Sequence, residues 1–166
     1  MKIAIVVAVL IVGVLIWRAT NSAPSSETAT SAADTRQPMG GPHADHDPKH
    51  GGTFFMAMNN HHHLEGVLQA PGIFRVYVYD AFTKPLPPDQ VKQISGMVVV
   101  GGSENAPEVP LSLSSNGETL EADLGDQASP PITLTLLVRF PGMTPEERPE
   151  LFTFPFDEYS NPAAVR

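Results

Sequence analysis

Short runs of alternating hydrophobic and polar residues make up most of the chain after residue 50. In the clearest run, residues 73–80, Phe74, Val76 and Val78 fall on one side of an extended chain. A period of two residues is typical of a strand that has one face in a core. Similar or continuously apolar runs occupy residues 53–58, 62–69, 91–100, 109–113, 119–124, 132–140 and 151–156. This pattern predicts seven to eight short strands.

Turn-forming residues separate these runs. Asn116-Gly117 lies between residues 109–113 and 119–124, and Asn-Gly is a strong signal for a β-hairpin. Residues 83–89 contain three prolines, so they are expected to form a loop or a sheet edge. Thr144-Pro145 has the pattern of a helix cap and first turn, which predicts one short helix there.

The number and spacing of the strands predict an all-β domain over residues 50–159, followed by a tail at 160–166. We predict an immunoglobulin-like β-sandwich of 7–8 strands, with an eight-stranded barrel as the main alternative. The chain has 17 prolines and 13 glycines among 166 residues, which also favours strands and turns over a helical bundle.

The first part of the chain has a different pattern, because residues 3–17 carry no charge and are followed directly by Arg18. As a helix this segment would rise about 22 Å, which is less than the roughly 30 Å of a membrane's hydrocarbon core. That length suits a signal peptide, or an anchor whose Trp17 and Arg18 reach the interface. We predict that residues 1–18 are a helical inner-membrane anchor and that the rest is periplasmic. A cleaved signal peptide, leaving a soluble periplasmic protein, is the alternative.

Residues 19–49 are rich in Ser, Thr, Ala and Pro and contain almost no large apolar residue. Such a segment buries too little surface to offset its ordering entropy, so it is predicted to be a disordered linker. Its last part contains His43 and His46 among aspartates. Two interpretations stay open for these histidines: a loose metal-collecting arm, or a polar tail that contains histidine without function.

Charge and cysteine content exclude several classes of function. The formal net charge of −8 leaves no basic surface for nucleic acid. The absence of cysteine excludes disulfides, thiolate zinc sites and cysteine nucleophiles. Any metal ion must therefore be held by histidine, methionine or carboxylate.

Residues 50–65 hold four of the six histidines and two of the six methionines of the chain. Alternate side chains of a strand share a face, so His61, His63 and Glu65 are expected to lie on one face. Imidazole suits copper, zinc and nickel, and a thioether favours reduced copper. The stretch therefore predicts a transition-metal site, with copper as the first choice and zinc as the alternative.

Three more residues of this stretch are secondary candidates for metal binding: His62, Met56 and Met58. The methionines lie beside two phenylalanines, and methionine in such company commonly fills a core. We expect them in the core, with a ligand role as the alternative. His61 and His62 have a second interpretation as solvent-exposed side chains.

Four motifs in order resemble a small periplasmic β-domain. They are His50-Gly51-Gly52, His63-Leu64-Glu65, the strand 74–80 that ends in Asp, and Lys84-Pro85-Leu86. That domain occurs in uncharacterised exported proteins and in accessory segments of bacterial heavy-metal efflux adaptors. The resemblance covers roughly residues 49–86.

The resemblance implies a role in metal handling, with His50, His63 and Glu65 as the first metal-binding positions. Together with the shared strand face, it gives the predicted ligand set His50, His61, His63 and Glu65. Both paired histidines, His61 and His62, and the methionines Met56 and Met58 are outside the resembled pattern.

Common catalytic patterns are absent from the sequence. All six histidines precede residue 64, so later strands have none to contribute to a triad or a metal cage. Glu65 follows His63 too closely for the cupin dioxygenase pattern. Neither His-Glu-x-x-His nor Gly-x-Ser-x-Gly occurs. We predict that the chain is not an enzyme.

Two functional hypotheses follow from these observations. The first is an exported, membrane-anchored copper-binding module that acts in heavy-metal tolerance or transfer beside an efflux system. Its expected partners are a metal ion, the membrane through residues 3–17, and an efflux or envelope protein. The second is a structural or interaction β-sandwich of the bacterial envelope that has no metal role.

Overall fold

Two antiparallel β-sheets face each other in this computed structural model, which describes residues 41–103 and 105–161. The predicted anchor over residues 1–18, the linker up to residue 40 and the end of the predicted tail lie outside the described residues. Among the residues that are described, no helix is both long and apolar enough to cross a membrane.

The described residues form nine strands. In chain order they are β1 (Thr53–Met56), β2 (His62–Gln69), β3 (Ile73–Asp80), β4 (Ser95–Val100), β5 (Glu108–Pro110), β6 (Ser112–Leu113), β7 (Thr119–Asp123), β8 (Ile132–Arg139) and β9 (Glu150–Phe156). One sheet has the strand order β1-β2-β3-β7-β6, and the other has the order β5-β4-β8-β9. A short helix α1 (Pro88–Val91) precedes β4, and a 3₁₀ turn (Gly125–Ala128) precedes β8.

The two sheets share one apolar core. Alternate residues of β2, β3, β8 and β9 point into it, as a period of two requires. The rings of Phe74 and Phe154, one from each sheet, meet edge to face with centroids 5.3 Å apart. Gly66 of β2 leaves room for the Phe154 ring, which lies 2.3 Å from where a Cβ of residue 66 would be. The predicted all-β architecture with two sheets is therefore confirmed.

The strand count exceeds the prediction because the chain changes sheets at Leu111. Residues 109–113 are predicted as one strand, but β5 pairs with β4 and β6 pairs with β7. Between them, the Leu111 backbone N–H donates to the Gly96 carbonyl at 2.9 Å. Corners of this kind, where a strand leaves one sheet for the other, are common in sandwiches.

The predicted helix at Thr144-Pro145 is wrong, since these residues form only turns. Glu147 does accept a hydrogen bond from the Thr144 backbone N–H, as in a helix start. However, Pro149 disfavours helical backbone at the residue before it, and β9 begins immediately afterwards. A proline-led helix forms instead at Pro88–Val91, where the sequence predicts a loop up to residue 89 and a strand from residue 91. Strand β4 therefore begins only at Ser95.

Strand β2 is buried on both faces. Its core face carries Leu64 and Leu68, and its outer face carries His63, Glu65 and Val67, all with 0% exposure. The chain at 41–52 lies along this outer face, although its residues up to 49 belong to the predicted linker. We call residues 41–52 the covering segment.

Candidate metal centre

Strand register sets the surroundings of the buried polar residues on β2. His63 lies opposite Met56 of β1 and Tyr79 of β3, and Glu65 lies opposite Phe54 and Tyr77. Directly opposed residues project to the same face of a sheet. The outer face therefore carries a patch of aromatic, imidazole, carboxylate and thioether groups, and the covering segment lies over its His63 and Glu65.

Three histidines converge at one end of this patch. His43 and His46 come from the covering segment and His63 from β2, and one possible ligand atom of each lies within 4.8 Å of the others. His43 Nδ1 is 3.1 Å from His63 Nε2. In a tetrahedral site, metal–nitrogen bonds of about 2.0 Å place two nitrogens roughly 3.3 Å apart. The 3.1 Å between these two nitrogens is close to the spacing of two ligands of one ion.

A hydrogen bond fixes the tautomer of His63. Its Nδ1 lies 2.8 Å from the Asp80 carbonyl oxygen, which can only accept, so Nδ1 carries the proton and donates. The lone pair of His63 is then on Nε2 and points toward His43, whose Nδ1–H donates to it. Metal-binding histidines commonly have this arrangement, in which a carbonyl holds the nitrogen that faces away from the ion.

The charge state of His63 also suits a metal ligand. Burial lowers the pKa of His63 below its usual value of 6.5. The bond to Asp80 acts in the opposite direction, and the neighbouring His43 and His46 lower this pKa further. The ring is therefore neutral at neutral pH, the form that can bind a metal.

Local hydrogen bonds shape the loop that carries the two other histidines. The His43 backbone N–H donates to the Ala81 carbonyl at 2.7 Å, and its φ of 62° turns the chain in the left-handed region. Asp45 pairs with Lys49 and accepts from the Asp47 backbone N–H at 3.0 Å. These contacts hold the loop in a tight turn over β2.

The ring of Phe54 lies beside two of the three histidines. The Phe54 ring centroid is 5.3 Å from that of His63 and 6.1 Å from that of His46. His46 and His63 themselves have ring centroids 5.3 Å apart. His63 is fully buried and His46 is exposed, so the cluster reaches from the sheet to solvent.

Glu65 forms a second, adjoining cluster that ties the covering segment to the sheet. It accepts hydrogen bonds from the backbone N–H groups of Lys49 at 3.0 Å, His50 at 2.7 Å and Gly52 at 3.0 Å. It also accepts from the Tyr79 hydroxyl at 2.8 Å. Burial acts to raise the pKa of Glu65, but the Gly52 and His50 bonds outweigh it and hold this pKa below its usual value. The carboxylate is thus ionised, with its oxygens engaged by the protein.

His50 belongs to the Glu65 cluster. Its Nδ1 lies 3.0 Å from Glu65 Oε2 and 3.0 Å from the Tyr79 hydroxyl oxygen. Its ring stacks on Tyr77 with centroids 3.5 Å apart and planes 4° apart. The structure thus separates the predicted set: His63 joins the three-histidine cluster, whereas His50 and Glu65 lie together beside it.

His61 and His62 lie apart from both clusters. His61 is exposed, and its backbone N–H donates to Asn59 Oδ1 at 2.8 Å in the turn before β2. The His62 ring stacks on Phe140 with centroids 4.6 Å apart. Burial lowers the pKa of His62, and the neighbouring His61 and His63 act in the same direction.

The expectation that Met56 and Met58 fill the core is wrong. Met56 is 45% exposed and Met58 is 84% exposed. Alternation along β1 directs Phe55 to the core, where its ring meets Phe154 edge to face at 5.0 Å, and so directs Met56 outward. Met58 lies beyond the end of β1 in a turn.

His43 and His46 are the residues that the predicted ligand set omits. The signal that could have included them is their spacing of three residues just before the His50-Gly-Gly motif. From the sequence alone the two histidines keep two interpretations, because the surrounding residues have the composition of a linker.

Comparisons of the chain with protein-family models, with curated proteins and with solved structures found no match. The arguments for a function therefore come from the geometry and chemistry of the chain itself.

Proposed function

We propose that this protein binds a single transition-metal ion, copper in the first place, through His43, His46 and His63. The observation that carries the proposal is the convergence of three imidazoles from two separate parts of the chain, with possible ligand atoms within 4.8 Å of one another. The buried member is neutral and has its lone pair directed into the cluster, which is the state that metal binding requires.

The donor set limits the choice of ion. Three imidazoles without a thiolate or a free carboxylate suit copper and zinc, and they leave one coordination position open. His63 is retained from the predicted set, and His43 and His46 join it. Glu65 and His50 are positioning residues in this proposal, because they hold the covering segment on the sheet.

The sequence supports a proposal for the cellular role. The apolar segment 3–17 and the resemblance to accessory segments of efflux adaptors support an exported, inner-membrane-anchored protein of the periplasm. In that setting the domain acts as a binding module, not an enzyme, in heavy-metal tolerance or transfer beside an efflux system. We also propose that the sandwich is of the immunoglobulin-like type.

Competitive titration of the purified chain with Cu(I), Cu(II) and Zn(II) tests the metal site. We expect binding tighter than micromolar for at least one ion. Replacing residues that merely support a metal ligand commonly costs about 10- to 100-fold in affinity. His43→Ala and His46→Ala, which remove ligands, should therefore each weaken binding by at least about 100-fold.

Two further variants make the titration decisive. His61→Ala is the matched control, since His61 is exposed and lies outside the cluster, and its affinity should equal that of the unmodified chain. His63→Ala tests the buried ligand, with circular dichroism to show that the sheets remain. Binding no tighter than micromolar, or equal affinities in all four variants, would reject the proposal in favour of a structural module without a metal role.

A further inference from the structure

Met56 has a position that the three-histidine site does not by itself explain. In the register of β1 and β2 it lies directly opposite His63. Side chains of directly opposed residues share a face, with Cβ atoms about 4.5–5.5 Å apart. The thioether therefore starts from the same outer face as the His63 imidazole, within reach of the cluster.

The neighbouring residue on that face already contacts the cluster. Phe54 shares the outer face of β1 with Met56, and its ring lies beside both His63 and His46. Met56 is therefore the next residue on the face of β1 that borders the cluster. Methionine has three rotatable side-chain bonds, so its sulfur can adjust to a nearby ion without moving the strand.

Met56 is too exposed for its position to be explained by packing. Its side chain is 45% exposed, on an edge strand whose other outer-face residue, Phe54, is only half-buried. A soft sulfur donor that remains accessible beside three imidazoles can take the coordination position that they leave open. Water or a small anion is the other occupant of that position.

We propose that the Met56 thioether is the fourth ligand and makes this site selective for copper in its reduced state, Cu(I). This inference rests on the proposed three-histidine site. The reason is ligand softness: a thioether adds affinity for Cu(I), whereas Zn(II) is satisfied by three imidazoles and a water molecule. The predicted choice of copper over zinc then depends on one side chain.

Met58 provides a matched control. It is two residues further along and 84% exposed, so it has the same chemistry without the register opposite His63. Its backbone N–H donates to Glu150 Oε2 at 2.8 Å, at the start of β9 in the other sheet. Its thioether is therefore expected to make no contribution to the site.

The test compares Met56→Leu and Met58→Leu in the full chain under anaerobic, reducing conditions. Competitive titration should show Cu(I) affinity reduced by at least about 10-fold in Met56→Leu and unchanged in Met58→Leu. Zn(II) affinity should be the same in both variants and in the unmodified chain. X-ray absorption at the copper edge should detect a sulfur neighbour that only Met56→Leu lacks.

The possible outcomes separate this inference from the site on which it rests. If the histidine variants abolish copper binding but Met56→Leu keeps both the Cu(I) affinity and the copper spectrum, the fourth-ligand inference is overturned and the three-histidine site stands. If the unmodified chain binds neither copper nor zinc tighter than micromolar, both are overturned. Equal losses of Cu(I) affinity in the two methionine variants also contradict the assignment of Met56.

Discussion

His63 donates from Nδ1 to the carbonyl oxygen of Asp80 at 2.8 Å, and this bond decides which nitrogen of the buried ring faces the covering segment. Because Asp80 ends β3 and His63 lies near the start of β2, the bond lies within the sheet and involves no residue of the covering segment. One ligand of the proposed site is therefore preset, and the other two arrive with the covering segment.

The first prediction is that a bound ion holds the covering segment closed. The His43 amide donates to the Ala81 carbonyl, and it can exchange with solvent only when this part of the segment lifts. If lifting releases the ion, exchange should slow about 100-fold when the free ion is about 100 times the dissociation constant. Hydrogen exchange followed by NMR measures this directly.

The control amide is that of Leu111, which donates to the Gly96 carbonyl at the corner between the sheets. The ion slows every amide that exchanges through global unfolding, so the comparison uses conditions in which Leu111 exchanges through a local opening of that corner. There the Leu111 exchange rate should be unaffected by the ion, and a His43 amide that the ion does not slow would contradict closure of the segment.

The second prediction concerns Glu65. Glu65→Gln removes the charge that three backbone N–H groups share and turns an amide NH₂ toward one or more of those donors. We expect the free energy of unfolding at neutral pH to fall by about 2–4 kcal/mol. Urea denaturation measures the loss. Glu121→Gln is the control, because its partly exposed pair with Arg75 should contribute only about 0–1 kcal/mol.

The pKa of Glu65 also predicts the direction in which this stability difference changes with pH. The folded pKa of Glu65 is below its usual 4.5, so its contribution is fully present above that value and is lost as pH falls through the folded pKa. The difference in stability between the unmodified chain and Glu65→Gln should therefore shrink on acidification. A difference that stays constant or grows toward low pH would show that this carboxylate is not held in its ionised form.

The third prediction separates the position of the covering segment from the fold of the core. A Cβ at Gly52 would lie 2.2 Å from the Gly66 carbonyl oxygen, a backbone atom of β2 that cannot move aside. Gly52→Ala should displace the segment, destabilise the domain by about 1–3 kcal/mol, and weaken metal binding by about 10-fold or more. Gly41→Ala, where nothing lies within 4 Å of the added Cβ, is the matched control. Metal titration and urea denaturation of both variants test it, and unchanged affinity in Gly52→Ala would contradict it.

The sequence predicts the bounds of β2 and β3 at residues 62–69 and 73–80, and the structure confirms both. Strand β3 alternates and is rich in β-formers, and turn residues on both sides of β2 mark its ends, so local pattern is sufficient for these bounds. Continuous apolar runs are less informative. In β1, Phe54, Phe55 and Met56 are all apolar, and periodicity cannot decide which of them points to the core. For that reason the sequence predicts Met56 in the core, whereas its side chain is exposed on the outer face.

Residues 41–49 lie beyond the reach of pattern-based prediction for a different reason. They contain little apolar surface and no period, and what holds them is hydrogen bonding from the Lys49 backbone and the His43 backbone to distant partners. The Lys49 contact exists because Glu65 lies on the outer face of β2, a strand that is buried on both faces. The amino-acid composition of residues 41–49 does not reveal this partner. His43 and His46 could be noticed in the sequence, but their approach to His63 could not.

The last prediction tests how tightly the two sheets fit. A Cβ at Gly66 would lie 2.3 Å from Phe154 Cε1 and 2.5 Å from its Cδ1. Phe154 has 0% exposure and is bordered by the rings of Phe55 and Phe74, so its ring has little room to retreat. Gly66→Ala should destabilise the domain by about 1–3 kcal/mol, measured by urea denaturation.

Gly102→Ala is its control, because a Cβ there meets nothing within 4 Å, and it should change stability by less than about 0.5 kcal/mol. If contact with Phe154 is the cause of the loss, combining Gly66→Ala with Phe154→Leu should cost less than the sum of the two single changes. The expected coupling is about 0.5–3 kcal/mol in a double-mutant cycle. Strict additivity, or equal stability of Gly66→Ala and Gly102→Ala, would contradict a close approach of β2 and β9 at this point.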